Sequence, residues 1–292
     1  LRLLKDYLQV QDIKGIQGIL NGTTNYILSE MESNNLSFEK ALSQAKELGF
    51  AEPDPTNDIK GFDARYKLVI LTYLITGHWL SPEQITLEGI DHLELADFEY
   101  ARRMGREIKL IVNLRLFEQG IQVYVLPLMI KKDEMLAKIS GSTNAITLSG
   151  KFSEDITLIG KGAGSLPTAS AIVSDLNKVL RHPEPFPPPP ITTKLLLQSI
   201  ENIPFRHTLR FEVRDHPGIF GHIGSIFERH SINIYALEQL PQYHRIGKEG
   251  EEIVIFTLTI QDCIEGLVIK ALKEINQAEY MLKPVVLLRE IV

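Results

Sequence analysis

The run His182-Pro183-Glu184-Pro185-Phe186-Pro187-Pro188-Pro189-Pro190 constrains this chain more than any other stretch. Each proline fixes φ near about −65° and lacks the N–H that a helix interior or a central strand would use. Such a run favours an extended polyproline conformation and acts as a semi-rigid spacer. The chain is therefore expected to fold as two parts: a front domain over 1–182 and a C-terminal module over 207–292, joined by a proline-rich linker over 183–206. A length of 292 residues fits two domains.

The composition excludes several classes. The net charge is −6, and no basic run interleaved with aromatics is present, which argues against a nucleic-acid partner. Eight histidines are scattered without a ligand spacing, so no metal site is expected. The single cysteine, Cys263, has apolar neighbours and reads as a packed residue, not a nucleophile or a ligand. No apolar run reaches the length of a membrane span, and no signal peptide is visible. Asn21-Gly22-Thr23 fits a glycosylation acceptor, but nothing else points to secretion. A reducing, cytoplasmic setting is the expectation.

Hydrophobic periodicity orders the elements. In the front part, residues 13–20 alternate like a strand and break at Asn21-Gly22 into a helix that Thr23 or Thr24 would cap. Residues 37–48 form an amphipathic helix that Ser37 caps and Gly49 stops. Residues 62–76 form a strongly apolar helix ending at Gly77, and 96–105 another. Strands are predicted over 108–115 and 121–127 around Gln119-Gly120, then over 145–148 and 156–159. A helix over 168–180 closes this part. After the linker the order is strand 209–214, helix 218–230, strands 232–239 and 253–261, helix 264–276 and strand 285–291. That is a ferredoxin-like βαββαβ module. The whole belongs to the α+β, or mixed α/β, class: a mixed sheet with helices in front and a ferredoxin-like module behind.

The chemistry concentrates in Gly49-Phe50-Ala51-Glu52-Pro53-Asp54-Pro55-Thr56-Asn57-Asp58, followed by Ile59-Lys60-Gly61-Phe62-Asp63-Ala64-Arg65-Tyr66-Lys67. Asp63 and Lys67 stand four apart, so on a helix they share one face. Glu52 and Asp54 lie on a loop that Pro53 and Pro55 restrict. The pattern suits a cleft holding carboxylates and an ammonium. It equally suits a solvated helix start with an ordinary ion pair, worth about 0.3–0.5 kcal/mol.

This segment resembles the substrate-site signature of homoserine dehydrogenases, a Leu-Gly-Tyr-x-Glu-x-Asp-Pro loop leading into a Gly-x-Asp-x-x-x-Lys helix. Asn21-Gly22-Thr23-Thr24-Asn25-Tyr26 resembles the same family's Asn-Gly-Thr-Thr-Asn-Tyr motif, and Gly160-Lys161-Gly162-Ala163-Gly164 its Gly-x-Gly-Ala-Gly loop. Phe50 departs from the pattern, since many members carry tyrosine there. Asp215-His216-Pro217-Gly218-Ile219 resembles the Asp-x-Pro-Gly signature of ACT domains, which bind amino acids and usually pair edge to edge.

The resemblance implies reversible reduction of L-aspartate 4-semialdehyde to L-homoserine with NADP or NAD. It makes Lys67 the proton donor, Asp63 a substrate contact that holds Lys67 charged, and Glu52 the acceptor of the substrate's α-ammonium. Asp58 would orient lysine or substrate, or else cap the turn that follows it. Thr23 would touch substrate, though a capping role fits it better. Gly49 and Gly164 would approach the cofactor, or else serve only as a helix stop and a tight turn. Asp215, Pro217, Gly218 and Ile219 would hold a regulatory amino acid, with threonine expected, in a homodimer or higher homo-oligomer. No Gly-x-Gly-x-x-Gly follows an initial strand, so the expectation is a C-terminal portion without the nucleotide-binding domain, inactive alone. One competing reading is a non-catalytic amino-acid-binding regulatory protein. Another is a hydrolase using Glu52 and Asp63 as paired carboxylates, which leaves both glycine motifs unexplained.

Overall fold

The computed structural model describes residues 13–118, 120–151, 154–181, 195–239, 241–247 and 250–292. The proline run expected to act as a spacer lies outside them, as does Gln119 of the predicted turn. In chain order the regular elements are β1 (Ile13–Ile19), α1 (Gly22–Asn34), α2 (Phe38–Glu47), α3 (Thr56–Ile59), α4 (Phe62–Thr76), β2 (Thr86–Leu87), α5 (Leu95–Arg103), β3 (Arg106–Phe117), β4 (Gly120–Lys131), β5 (Thr143–Gly150), β6 (Ile156–Lys161), α6 (Ser165–Arg181) and β7 (Leu196–Leu197). There follow β8 (Pro204–Arg214), α7 (Ile219–Arg229), β9 (Ile234–Gln239), β10 (Arg245–Ile246), β11 (Glu252–Ile264), α8 (Glu265–Ile275) and β12 (Val286–Ile291). The chain divides into two compact units. The first holds 1–91, 109–127 and 132–198; the second holds 92–108, 128–131 and 199–292.

In the first unit β1 lies between β3 and β5, antiparallel to both, and β6 continues beyond β5. The strand order is β4-β3-β1-β5-β6. The apolar 62–76 segment is α4, bounded by Gly61 and Gly77, both left-handed. It buries Leu68, Val69, Leu71 and Ile75. Thr72 and Thr76 lie inside the core because each hydroxyl donates to the carbonyl four residues back.

Two helix starts differ from the sequence expectation by more than one residue. Helix α1 begins at Gly22 and its cap is Asn21, not Thr23 or Thr24; the Asn21 side chain accepts from the Thr24 N–H at 2.8 Å. The asparagine carbonyl reaches that N–H from outside the helix, which a threonine already within the first turn does not. Helix α6 starts at Ser165 rather than 168, because Pro167 is tolerated in a first turn whose N–H groups have no helical partner.

The second unit contains the predicted βαββαβ order. β8 pairs with β11 from Arg214↔Ile253 to Pro204↔Ile264, with a register shift between Ile260 and Cys263. β12 flanks β8 on its other side, and β9 lies antiparallel along β11. Side chains alternate across each strand. Leu209, Phe211 and Val213 of β8, with Val254, Phe256 and Leu258 of β11, pack against Ile223, Ile226 and Phe227 of α7 and Val268 and Leu272 of α8. The intervening Arg210 and Thr259 meet α5 instead: the Arg210 guanidinium donates to Asp97, and the Tyr100 and Thr259 hydroxyls bond each other. Sequence order sets α5 among the front elements, yet it packs with this second unit.

Candidate active site

Helix α4 presents Asp63 in its first turn and Lys67 one turn later. The Lys67 Nζ donates to Asp63 Oδ2 at 2.7 Å and to the Leu20 carbonyl at 2.9 Å. The pair is partly open to solvent, with side-chain exposures of 44% for Lys67 and 33% for Asp63. The spacing of four predicted this pair; its anchorage to Leu20, at the end of β1, is a tertiary fact.

Asn21 Nδ2 donates to Asp58 Oδ1 at 2.6 Å and to Asp63 Oδ2 at 2.8 Å. Asp58 therefore faces the Asp63–Lys67 pair. It sits inside the short helix α3 and does not cap it. Ahead of Pro55, the cap residue of α3, the Asp54 Oδ1 accepts from the Thr56 hydroxyl at 2.6 Å and the Thr56 N–H at 3.1 Å. Those two bonds hold the Asp54 carboxyl below the usual carboxylate range. Asn21 is the site residue that sequence reasoning quoted within a motif but assigned no role. The only signal for it was its place just ahead of Gly22-Thr23.

Gly49 follows α2 with φ 74°, and its N–H bonds the Lys46 carbonyl, so it is the helix stop that the sequence predicted. Glu52 is exposed on the loop that leaves α2. Thr23 is buried, and its hydroxyl donates to the Phe50 carbonyl at 2.6 Å, tying the start of α1 to that loop. The Phe50 ring, where many relatives carry tyrosine, lies 4.9 Å from the Tyr26 ring. Gly164 has φ 115° and immediately precedes α6.

The second unit carries its own open cleft of about 370 Å³. Asp215, Pro217, Gly218 and Ile219 line it, together with Gln239 and Glu252, and Phe220, Val254 and Phe256 form an apolar wall. Gly218 is the cap of α7, at φ 98°, so the cleft meets the helix N-terminus, where unpaired N–H groups face outward. Among the described residues, Asp215, His244 and Glu252 bring ligand atoms within 4.8 Å of one another, but all three are exposed, an arrangement common without an ion. Cys263 is half-buried, and burial followed by the Glu265 and Asp262 charges pushes its thiol up to about 11. It is not a thiolate nucleophile. Among the described residues no helix is long and apolar enough to cross a membrane.

Comparison with known proteins identifies the family. Residues 1–176 match the family described as "Homoserine dehydrogenase", and residues 207–277 match "ACT domain". The chain is similar to a homoserine dehydrogenase of Helicobacter pylori, 37% identical over 97% of this chain and 66% of that protein. A homoserine dehydrogenase structure from Thiobacillus denitrificans superposes with a TM-score of 0.85 at 32% identity, covering 99% of this chain and 66% of that one. A hyperthermophilic archaeal homoserine dehydrogenase mutant in complex with NADPH aligns at a TM-score of 0.52 and 27% identity, over 64% of this chain and 52% of that one. The chain thus spans about two thirds of the length of the first two, a coverage that does not support the expectation of a missing nucleotide-binding domain.

Proposed function

The chain belongs to the homoserine dehydrogenase family, and we propose that the protein containing it interconverts L-aspartate 4-semialdehyde and L-homoserine with NAD or NADP. The observation that carries the reading is the Lys67 ammonium, held between Asp63 and the Leu20 carbonyl beside a second carboxylate, Asp58. An ammonium has three hydrogens. Asp63 and Leu20 take two, and the third is available to a substrate oxygen.

When bound, a nicotinamide dinucleotide would supply the hydride that reaches the aldehyde carbon. Charge then develops on the carbonyl oxygen, and Lys67 delivers the proton that makes it a hydroxyl. In the reverse direction Lys67 takes that proton back. Asp63 aims the Lys67 amine through its 2.7 Å bond, and Asp58 adds a second carboxylate held by the same Asn21 amide. Glu52, exposed on the neighbouring loop, receives the substrate's α-ammonium. The Thr23 hydroxyl is committed to Phe50, so Thr23 acts by fixing that loop.

Two glycines of the family motifs lie beside open space, which supports assigning them to a flat cofactor ring. A Cβ on Gly49 would meet nothing within 4 Å, and one on Gly164 would meet only the Pro167 ring, at 3.4 Å. Both positions leave the space that a closely approaching ring needs. Gly49 and Gly164 are the residues we assign to the cofactor.

We assign the ACT module to feedback by an amino acid, threonine first. The α7 N-terminus supports this, since its N–H groups are suited to a carboxylate, as does the apolar wall of the cleft. Along the chain we place the boundaries at 1–182, 183–206 and 207–292, with α5 and residues 199–206 folding into the second unit. We assign a homodimer through the outer edge of β9, which pairs only with β11 among the described residues. The single cysteine favours a reducing, cytoplasmic setting.

The test is turnover by the protein containing this chain, followed at 340 nm with homoserine and NAD or NADP. Oxidation of homoserine is expected; none with either cofactor would end the dehydrogenase reading. Calorimetry with threonine, methionine, isoleucine and lysine tests the module. Heat with one of them is expected, and heat with none would make it structural.

A further inference from the structure

We propose that Asn21 is a positioning residue of the catalytic site: its amide holds Asp58 and Asp63 together and, through Asp63, sets the place of the Lys67 ammonium. The proposal rests on the dehydrogenase reading above and assigns a residue which that reading leaves without a role.

Both ends of the Asn21 amide are in use. Its Oδ1 accepts from the Thr24 N–H at 2.8 Å, which is ordinary helix capping. Its Nδ2 carries two hydrogens, and its two bonds go to two different carboxylates, Asp58 Oδ1 at 2.6 Å and Asp63 Oδ2 at 2.8 Å. Capping needs only the carbonyl. The amide nitrogen is the part that capping leaves unexplained, and serine would cap equally well.

The bonds form a closed ring. Asn21 reaches Asp63, Asp63 reaches Lys67 at 2.7 Å, and Lys67 returns at 2.9 Å to the carbonyl of Leu20, the residue next to Asn21. Asn21 is buried, so its amide is fixed by packing, while Lys67 is nearly half exposed and sits on a flexible stem. The rigid member of the ring therefore decides where the flexible one rests. The partners come from three elements: the end of β1, helix α3 and helix α4. One amide ties them at the point where the chemistry occurs.

A neutral donor is suited to this task. Two carboxylates side by side repel each other, and a lysine or arginine in place of Asn21 would hold them but cancel their charge. The amide holds them and adds no charge. Asp58, Asp63 and Lys67 then sum to a formal net charge of −1, which favours a substrate carrying an ammonium. Small displacements of a proton donor are costly, since a misplacement of about 1 Å can cost about 100-fold in rate.

Two substitutions separate positioning from capping. Asn21→Ser keeps a capping oxygen and loses the two-pronged donor. Asn21→Asp keeps the shape and the capping oxygen, loses both donors and adds a third carboxylate. In the protein containing this chain, Asn21→Ser is expected to lower kcat at least tenfold, with KM for homoserine changed less than threefold and the thermal midpoint within a few degrees of wild type. Asn21→Asp is expected to lower kcat further. If kcat in both variants stays within twofold of wild type, Asn21 is a cap and nothing more. If the wild-type protein turns over no homoserine, the dehydrogenase reading has failed, and crystal structures of wild type and Asn21→Ser decide the positioning claim alone. Separation of Asp58 from Asp63 in the variant supports it; unchanged places for Asp58, Asp63 and Lys67 overturn it.

Discussion

Lys67–Asp63 in the first unit and Arg210–Asp97 in the second are both carboxylate–cation pairs closed to 2.7 Å. They differ in surroundings. The first pair is 44% and 33% exposed, whereas the second is 3% and 0% exposed. A pair near solvent is worth about 0.2–1 kcal/mol and exchanges partners easily. A buried pair is no great stabiliser in net terms, but removing one partner strands the other in a medium that cannot solvate it. The same bond length therefore marks a pair open to solvent, as the proposed proton donor must be, in one unit and a buried structural joint in the other. Arg210 also donates to the His92 carbonyl and lies 3.4 Å from Glu94, so the joint locks α5 against β8.

The comparison breaks most sharply at Lys67. Lys67→Ala should lower kcat by about 10²–10⁴-fold, the usual share of a general acid, while changing stability by no more than about 1 kcal/mol. Steady-state kinetics with a parallel denaturant titration would show this; a kcat within a few-fold of wild type would remove Lys67 from the mechanism. Asp97→Ala should do the reverse, costing about 3–5 kcal/mol because Arg210 is left buried and unpaired. A loss under about 1 kcal/mol in urea unfolding would show that the joint relaxes. Replacing both partners with leucine should restore much of that loss.

A smaller effect follows from a second buried cluster of the ACT unit. Glu265 accepts from Arg289 at 2.8 Å and meets His207 Nε2 at 2.8 Å. Burial alone would raise its carboxyl, but the His207 bond and the Arg289 charge outweigh burial and hold it below the usual glutamate range. A carboxyl depressed in the folded state contributes stability that is fully present above the unfolded glutamate range and is lost as pH falls through the folded value. The ACT unit should accordingly lose stability below about pH 4.5, and Glu265→Gln should flatten that acid limb in thermal melts recorded from pH 3 to 6. An unchanged limb would place the acid sensitivity elsewhere. The smallest effect concerns Cys263, whose thiol burial raises to about 11. Alkylation by iodoacetamide at pH 8 should run well below the rate for the urea-unfolded chain; equal rates would mean that the thiol is open.

Much of both units was legible in the sequence. Helix α4 matches its predicted span, 62–76, because Gly61 and Gly77 punctuate an apolar run. The βαββαβ order of the C-terminal module was equally plain, since alternation over 209–214 and 253–261 and the helical period between them are local signals. Asp63 and Lys67 were paired by their spacing of four, and Gly49 was read as a stop. Ser37 was read correctly as the cap of α2, but the cap of α1 was not. Asn21, Thr23 and Thr24 all favour an N-cap, and the residue that serves is chosen by where β1 releases the chain.

Local pattern thus determined the elements, their order and the Asp63–Lys67 pair within helix α4, because periods of two and 3.6 need only neighbouring residues. Tertiary structure decided the rest. Asn21 stands 37 residues from Asp58 and 42 from Asp63, and Asp97 stands 113 from Arg210. No spacing rule joins residues so far apart. Their contacts exist because β1, α3 and α4 meet at one end of a sheet, and because α5 covers the polar face of β8. Amides, carboxylates and guanidinium groups then settle into the only partners that burial leaves within reach.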